Sequence, residues 1–306
     1  MRTDRRSFLV QASVASSLAA ASASKDQISL AAWSLVNSFF VAKKWTNLDL
    51  PRITREEFGI GALEFVNQFF DNPMMTNLER LKKNAAQFDV KLVRIMVDDE
   101  GNMAAIDKQE RKQSAVAHRK WVDIAHYLGC IDIRCNMRGG LPNWREDKDL
   151  VSRAAESFAD LLEYSRGSGL DIIIENHGGA SSNADVLVSL MKMVNNPRFG
   201  TLPDFGNINP EDDREETIRK IVRYAKGVSV KAAWSEDETH PGWDLAKLIR
   251  ICRESGFHGY WGIECSYGRR AARRPNASQP VDAAQIWANE LKGVKLTKAV
   301  LERALA

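Results

Sequence analysis

Short apolar runs alternate with longer amphipathic stretches from residue 27 almost to the C-terminus. The strand-like runs are Ile28–Leu35, Ile60–Val66, Lys91–Val97, Ile131–Cys135, Leu170–Glu175, Phe199–Leu202, Gly227–Lys231 and Tyr260–Glu264. Several are apolar at consecutive positions, Ile172-Ile173-Ile174 most plainly, which is the pattern of parallel strands covered on both faces. Helical periodicity fills the intervals near 52–58, 76–88, 108–128, 149–168, 183–195, 212–225, 242–255 and 282–303. Val186, Leu187, Leu190, Met191 and Val194, for instance, fall on one helical face. Gly129, Gly169 and Gly256 stand where helix C-caps are needed, just ahead of strands. Eight strand–helix alternations in about 280 residues predict a single-domain α/β fold, a (β/α)₈ TIM barrel. The alternative is a doubly wound open sheet, which is disfavoured: no strand leads into a Gly-x-Gly-x-x-Gly turn, and there is no phosphate-binding lysine loop.

The first residues break this pattern. Thr3-Asp4-Arg5-Arg6-Ser7-Phe8-Leu9-Val10 precedes a weakly apolar run of Ala and Ser, and Ala21-Ser22-Ala23 offers a small-residue cleavage site. Residues 1–24 thus resemble a twin-arginine export signal, with residues 25–306 as the mature barrel in the periplasm or outside the cell. Composition narrows the rest. The chain is 44% hydrophobic and 27% charged, as expected of a globular protein, and the 43 basic residues nearly balance the 40 acidic ones. That balance argues against a nucleic-acid partner. Two of the three net positive charges lie within residues 1–24, and Arg269, Arg270, Arg273 and Arg274 form one further run, either a solvated loop or an anion-binding lid. No apolar run reaches the 18 residues of a membrane span, and four scattered Cys (130, 135, 252 and 265) make no disulfide framework.

In a (β/α)₈ barrel the chemistry sits at the C-terminal ends of the strands. Three of those ends carry a carboxylate where a packing residue is expected: Ile174-Glu175-Asn176-His177-Gly178-Gly179, Leu202-Pro203-Asp204-Phe205-Gly206-Asn207 and Gly262-Ile263-Glu264-Cys265-Ser266. Such charges repel and are costly to desolvate unless a cation lies among them. Glu175, Asp204 and Glu264 are therefore candidate ligands of one divalent ion, Mn²⁺, Mg²⁺, Co²⁺ or Zn²⁺. Strand alternation places His177 above Glu175, to contact substrate or orient a ligand, and turns Ser229 and Lys231 inward on the seventh strand. Lys231 either pairs with a carboxylate or substrate, or reaches past the rim into water. Trp33 either floors a sugar pocket or belongs to the core. Glu64 and Arg134 are further candidate substrate contacts, with Asn67, Gln68, Arg94, Asp98 and Asn136 close by. His118, His126 and His258 read as structural, leaving too few His for a multi-metal phosphodiesterase.

Taken together, these motifs resemble the sugar phosphate isomerase/epimerase superfamily, the xylose-isomerase-like barrels, over roughly residues 27–303. The resemblance implies a carbohydrate substrate and one divalent metal held by Glu175, Asp204 and Glu264. It also implies that Glu175 and Glu264 move the substrate proton and that Asn207, three residues after the metal-binding Asp, contacts ligand or substrate. The family's strand-seven ligand is a His in a Val-His-Val-Lys-like segment, which here reads Val228-Ser229-Val230-Lys231. Water, His177 or His240 then completes the metal shell, or the metal is held weakly or not at all. The expected activity is isomerisation or epimerisation of a sugar through an enediolate. The alternatives are a metal-dependent lyase of 3-keto-glycosides acting by β-elimination and a non-catalytic sugar-binding barrel.

Overall fold

A computed structural model describes residues 26–268 and 282–306. The candidate export signal and the arginine run at 269–274 lie outside the described residues. Eight strands are present: β1 (Gln27–Ala31), β2 (Ala62–Val66), β3 (Lys91–Met96), β4 (Asp132–Cys135), β5 (Asp171–Glu175), β6 (Phe199–Leu202), β7 (Val228–Trp234) and β8 (Tyr260–Tyr267). All pair in parallel, in the order β6-β5-β4-β3-β2-β1-β8-β7. The two ends of that sheet meet at isolated parallel bridges, Thr201 with Ala225 and Asp204 with Ser229, so the sheet curls into the expected (β/α)₈ barrel.

The helices are α1 (Val36–Phe40), α2 (Leu50–Glu56), α3 (Met75–Gln87), α4 (Lys108–Leu128), α5 (Leu150–Tyr164), α6 (Ala184–Val194), α7 (Arg214–Ile221), α8 (Leu245–Glu254) and α9 (Ala283–Leu305). Their starts follow local chemistry. Asp107, Asn183, Asp213, Asp244 and Asp282 each accept a backbone N–H from the first turn of the helix they precede. Gly129 ends α4 at φ 80°, a left-handed conformation that favours glycine. The first strand departs from the expectation for Ile28–Leu35: it ends at Ala31, and Ala32–Leu35 forms a 3₁₀ turn leading into α1. No helix among the described residues is long and apolar enough to cross a membrane.

Alternate strand residues point to opposite faces. Leu30, Leu63, Ile95, Ile133, Ile172, Ile174, Val228, Val230 and Ile263 are buried in one continuous core with the helices. The barrel interior is more polar. Arg94, fully buried, forks onto Asp132 (Nε to Oδ1, 2.9 Å; Nη2 to Oδ2, 3.0 Å) and reaches Glu64 at 3.5 Å. Ser29 donates to Glu64 Oε1 at 2.6 Å. Glycines make the room: a Cβ at Gly262 would lie 2.7 Å from Glu64 Oε1, and one at Gly227 would overlap the Arg94 guanidinium. The four cysteines are buried free thiols.

Candidate active site

One residue pair above this ion layer, the inward positions of the strands become the site. Glu175 ends β5, Asp204 follows β6 by two residues, and Glu264 lies on β8 beside Lys231 of β7 in register. All three carboxylates are buried, and one oxygen from each comes within 4.8 Å of the others. The loop after β6 is fixed by Asn176, whose Oδ1 accepts from Asp204 N (2.7 Å) while its Nδ2 donates to the carbonyls of Asp204 (2.8 Å) and Asn207 (3.0 Å). Asp204 Oδ1 accepts the N–H groups of Gly206 (2.8 Å) and Asn207 (2.7 Å), a tight turn over the carboxylate.

Two cations answer the three carboxylates, a half-buried lysine and a buried arginine. Lys231 Nζ lies 2.8 Å from Glu264 Oε1 and 3.3 Å from Asp204 Oδ2, so its inward orientation and its pairing are as expected from strand alternation. Arg134 bridges Asp98 (2.7 Å) and Glu175 Oε2 (2.9 Å from Nε). Burial alone would raise the Asp98 carboxyl, but Arg134 and the Asn136 amide pull it down to about 2. Glu175 goes the other way. Burial, together with the neighbouring Asp204 and Glu264, drives its carboxyl well above the usual range despite Arg134 and Lys231. Asn207 Nδ2 donates to Glu175 Oε1 at 2.9 Å. Oε2 has no hydrogen bond, because Arg134 Nε approaches it off the N–H axis. A buried carboxylate oxygen held by an ion pair but without a hydrogen bond, inside an all-oxygen donor set, fits a hard divalent cation. Ser229 supplies no imidazole; its hydroxyl donates to Asp204 Oδ2 at 2.7 Å.

Above the triad a cavity of about 230 Å³ opens to solvent, lined by Arg134, His177, Asn207, Lys231, Glu264 and Trp33 from among the expected residues. Burial, with Arg134 and Lys231 close by, lowers the His177 imidazole to about 4, so it is neutral at physiological pH. Trp33 lines the cavity and packs edge-on against Phe69 at 5.5 Å. Glu64 is a correction. It sits one layer down, locked to Ser29 and Arg94, and does not line the cavity, because its strand position points into the barrel below the mouth. His240 does not line the cavity either. Its Nδ1 lies 2.8 Å from Ala233 O and its ring stands between Trp234 and Trp243, so it braces the end of β7. The far side of the cavity adds Asp99 and Arg138, which the strand-end pattern did not single out, to Asp98 and Gln68, which it did. Asp98, Asp99 and Arg138 line the cavity, with Gln68 donating to Asp99 (2.6 Å) and Arg138 pairing with it (2.8 Å). The available signal was charge immediately after strands three and four.

This parallel barrel, with buried carboxylates gathered at its C-terminal mouth, falls within the xylose isomerase-like TIM barrel family. The chain belongs to that family: the profile of the xylose isomerase-like TIM barrel matches residues 55–292. No curated protein sequence matches the chain at a significant level. Among solved structures, an L-ribulose 3-epimerase superposes with TM-score 0.69 at 16% identity, covering 92% of this chain and 94% of that one. A 3-keto-D-glucoside 4-epimerase from E. coli gives TM-score 0.65 at 15% identity over 88% and 98%. A xylose isomerase-like barrel from Mycobacterium smegmatis, in complex with magnesium, gives TM-score 0.63 at 15% identity over 92% and 98%. At these identities the likeness is one of fold.

Proposed function

We propose that the protein is a divalent-metal-dependent epimerase or isomerase of a sugar or sugar derivative, which moves a proton on carbon beside a carbonyl. The observation that carries this reading is the pairing of Glu175 and Glu264 across the buried triad in unlike surroundings. Glu175 is held toward its protonated form, whereas Glu264 keeps the Lys231 ammonium at 2.8 Å. A carboxyl held toward its acid form and a second carboxyl paired with an ammonium, in one triad, can give and take one proton. Glu175, Asp204 and Glu264 would hold the ion, which when bound polarises the carbonyl and stabilises an enediolate. Asn207 orients Glu175 through its 2.9 Å amide bond. Arg134 fixes the far side of Glu175, and neutral His177 and the indole of Trp33 offer a polar and an apolar wall to a polyol. A neutral sugar, with the keto-glucosides and ketoses of the structural neighbours as test compounds, suits a cavity whose charges are already paired.

The test is solvent exchange of the carbon-bound proton, followed by NMR in D₂O with ketopentoses, ketohexoses and 3-keto-glucosides. Glu175→Gln and Glu264→Gln should each lower exchange at least about a thousandfold while the fold survives. Native exchange rates in both variants would overturn the assignment. We also propose that residues 1–24 direct export, on the strength of Arg5-Arg6 ahead of Phe8-Leu9. Cell fractionation with N-terminal mass tests this: periplasmic protein starting near residue 25 supports it, and protein confined to the cytoplasm with Met1 intact refutes it.

A further inference from the structure

Asp204 has no free lone pair. Its Oδ1 accepts the N–H groups of Gly206 and Asn207, at 2.8 and 2.7 Å. Its Oδ2 accepts the Ser229 hydroxyl at 2.7 Å and the Lys231 ammonium at 3.3 Å. The same ammonium lies 2.8 Å from Glu264 Oε1 and 3.3 Å from Asn207 Oδ1. Nζ is thus seated between two members of a triad whose ligand oxygens span only 4.8 Å. An ion bonded at about 2.0–2.6 Å to Asp204 Oδ2 and Glu264 Oε1 would take the same oxygens that Nζ holds and would crowd a second positive charge against it. The seat is built for the lysine. A Cβ on Gly206 would lie 2.6 Å from Lys231 Cδ and 3.1 Å from the Trp243 ring, and Trp243 Nε1 donates to Lys231 O at 3.2 Å. Glycine and indole therefore form a slot that guides the aliphatic stem to the carboxylates.

We propose that the Lys231 ammonium is a tethered cation that competes with a divalent ion for the seat between Asp204 and Glu264, so that lysine displacement sets metal affinity. The proposal rests on the triad being the metal site. Ser229 works in the same direction, since it spends a lone pair of Asp204 that an imidazole at that position would leave for the ion. When an ion enters, Lys231 must swing into the cavity above, where its amine meets solvent and substrate.

Titration of the purified chain with MnCl₂ by calorimetry, in wild type and Lys231→Met, tests the competition at one pH and ionic strength. Lys231→Met should bind Mn²⁺ at least tenfold more tightly, and Ser229→His should also tighten binding. Circular dichroism confirms that each variant is folded. A measurement on the wild type guards against a variant that fails to fold. Acylation of Lys231 by an amine-reactive ester, read by peptide mass spectrometry, should rise at saturating Mn²⁺. Equal or weaker Mn²⁺ binding by Lys231→Met, or unchanged Lys231 labelling on saturation, overturns the competition and leaves the metal reading standing. Absence of Mn²⁺ binding in wild type and both variants overturns the competition and the metal reading together.

Discussion

Asn176 shows how much of the site depends on a side chain that never reaches the cavity. It is 1% exposed and ties the end of β5 to the turn carrying Asp204 through one accepted and two donated hydrogen bonds. Asn176→Ala would leave the Asp204 N–H and carbonyl buried without partners, while the Asn207 carbonyl keeps the Ser182 hydroxyl, at a cost of about 2–4 kcal/mol. Because Asp204 is positioned by that amide, proton exchange on substrate should fall along with stability. Asn176→Asp should be no milder, since it loses both donated bonds and adds a negative charge beside Asp204. Urea unfolding and exchange rates measured on the same samples check this, and an Asn176→Ala variant within about 0.5 kcal/mol of wild type would sink it. The three carboxylates were legible in the sequence because each is a charge at the end of an apolar strand. Asn176 stood in the same motif, but an amide there reads equally as loop surface, and only the returning β6 loop gives it partners. Asp99 and Arg138 were hidden for the same reason: periodicity places strands and helices, while it says nothing about the paths of the loops between them.

Elements were legible to the extent that their apolar period was distinctive. Ile172-Ile173-Ile174 read as a strand covered on both faces, and β5 is such a strand. The run from Leu30 to Val36 gave no such distinction. It is apolar or small throughout and buried throughout, so a strand turning into a 3₁₀ helix and then α1 has the same pattern as one long strand. What holds that corner is remote in sequence. Glu290 of α9 is buried and accepts the backbone N–H groups of Asn37 (2.7 Å) and Ser38 (3.2 Å) at the start of α1. Burial pushes its carboxyl from 4.5 up to about 7. A raised carboxyl binds its proton more tightly in the folded chain. Its stabilising effect is therefore complete below about pH 4.5 and lost as the pH rises through about 7. Glu290→Gln keeps the Oε1 acceptor and removes the titration. Between pH 5 and 8 the wild type should lose about 2–3 kcal/mol relative to Glu290→Gln. Parallel stability curves for the two proteins over that range would refute the assignment.

At the scale of the whole barrel, one seam is thinner than the rest, and the site straddles it. β7 and β8 stay in register from Val228–Trp261 to Trp234–Tyr267, whereas β6 and β7 meet only at two isolated bridges. Three backbone bonds cross there: Lys226 N to Thr201 O (3.0 Å), Ser229 N to Pro203 O (2.8 Å) and Phe205 N to Ser229 O (3.2 Å). Pro203 contributes no N–H of its own to that ladder. The seam is reinforced by side chains instead, through Ser229 and Lys231 on Asp204. The groups that would do the chemistry are therefore also the stitches that keep the cylinder closed, and local opening should begin between β6 and β7. Native-state hydrogen exchange should show the amides of Phe205 and Ser229 exchanging sooner than those of Ile172–Ile174 in β5. Ser229→Ala should accelerate Phe205 and Ser229 further while leaving β5 unchanged, because it removes one stitch and touches no other strand pair. If the seam amides are protected as strongly as β5, or if Ser229→Ala speeds exchange around the whole ring alike, the barrel opens as one unit and the seam has no separate existence.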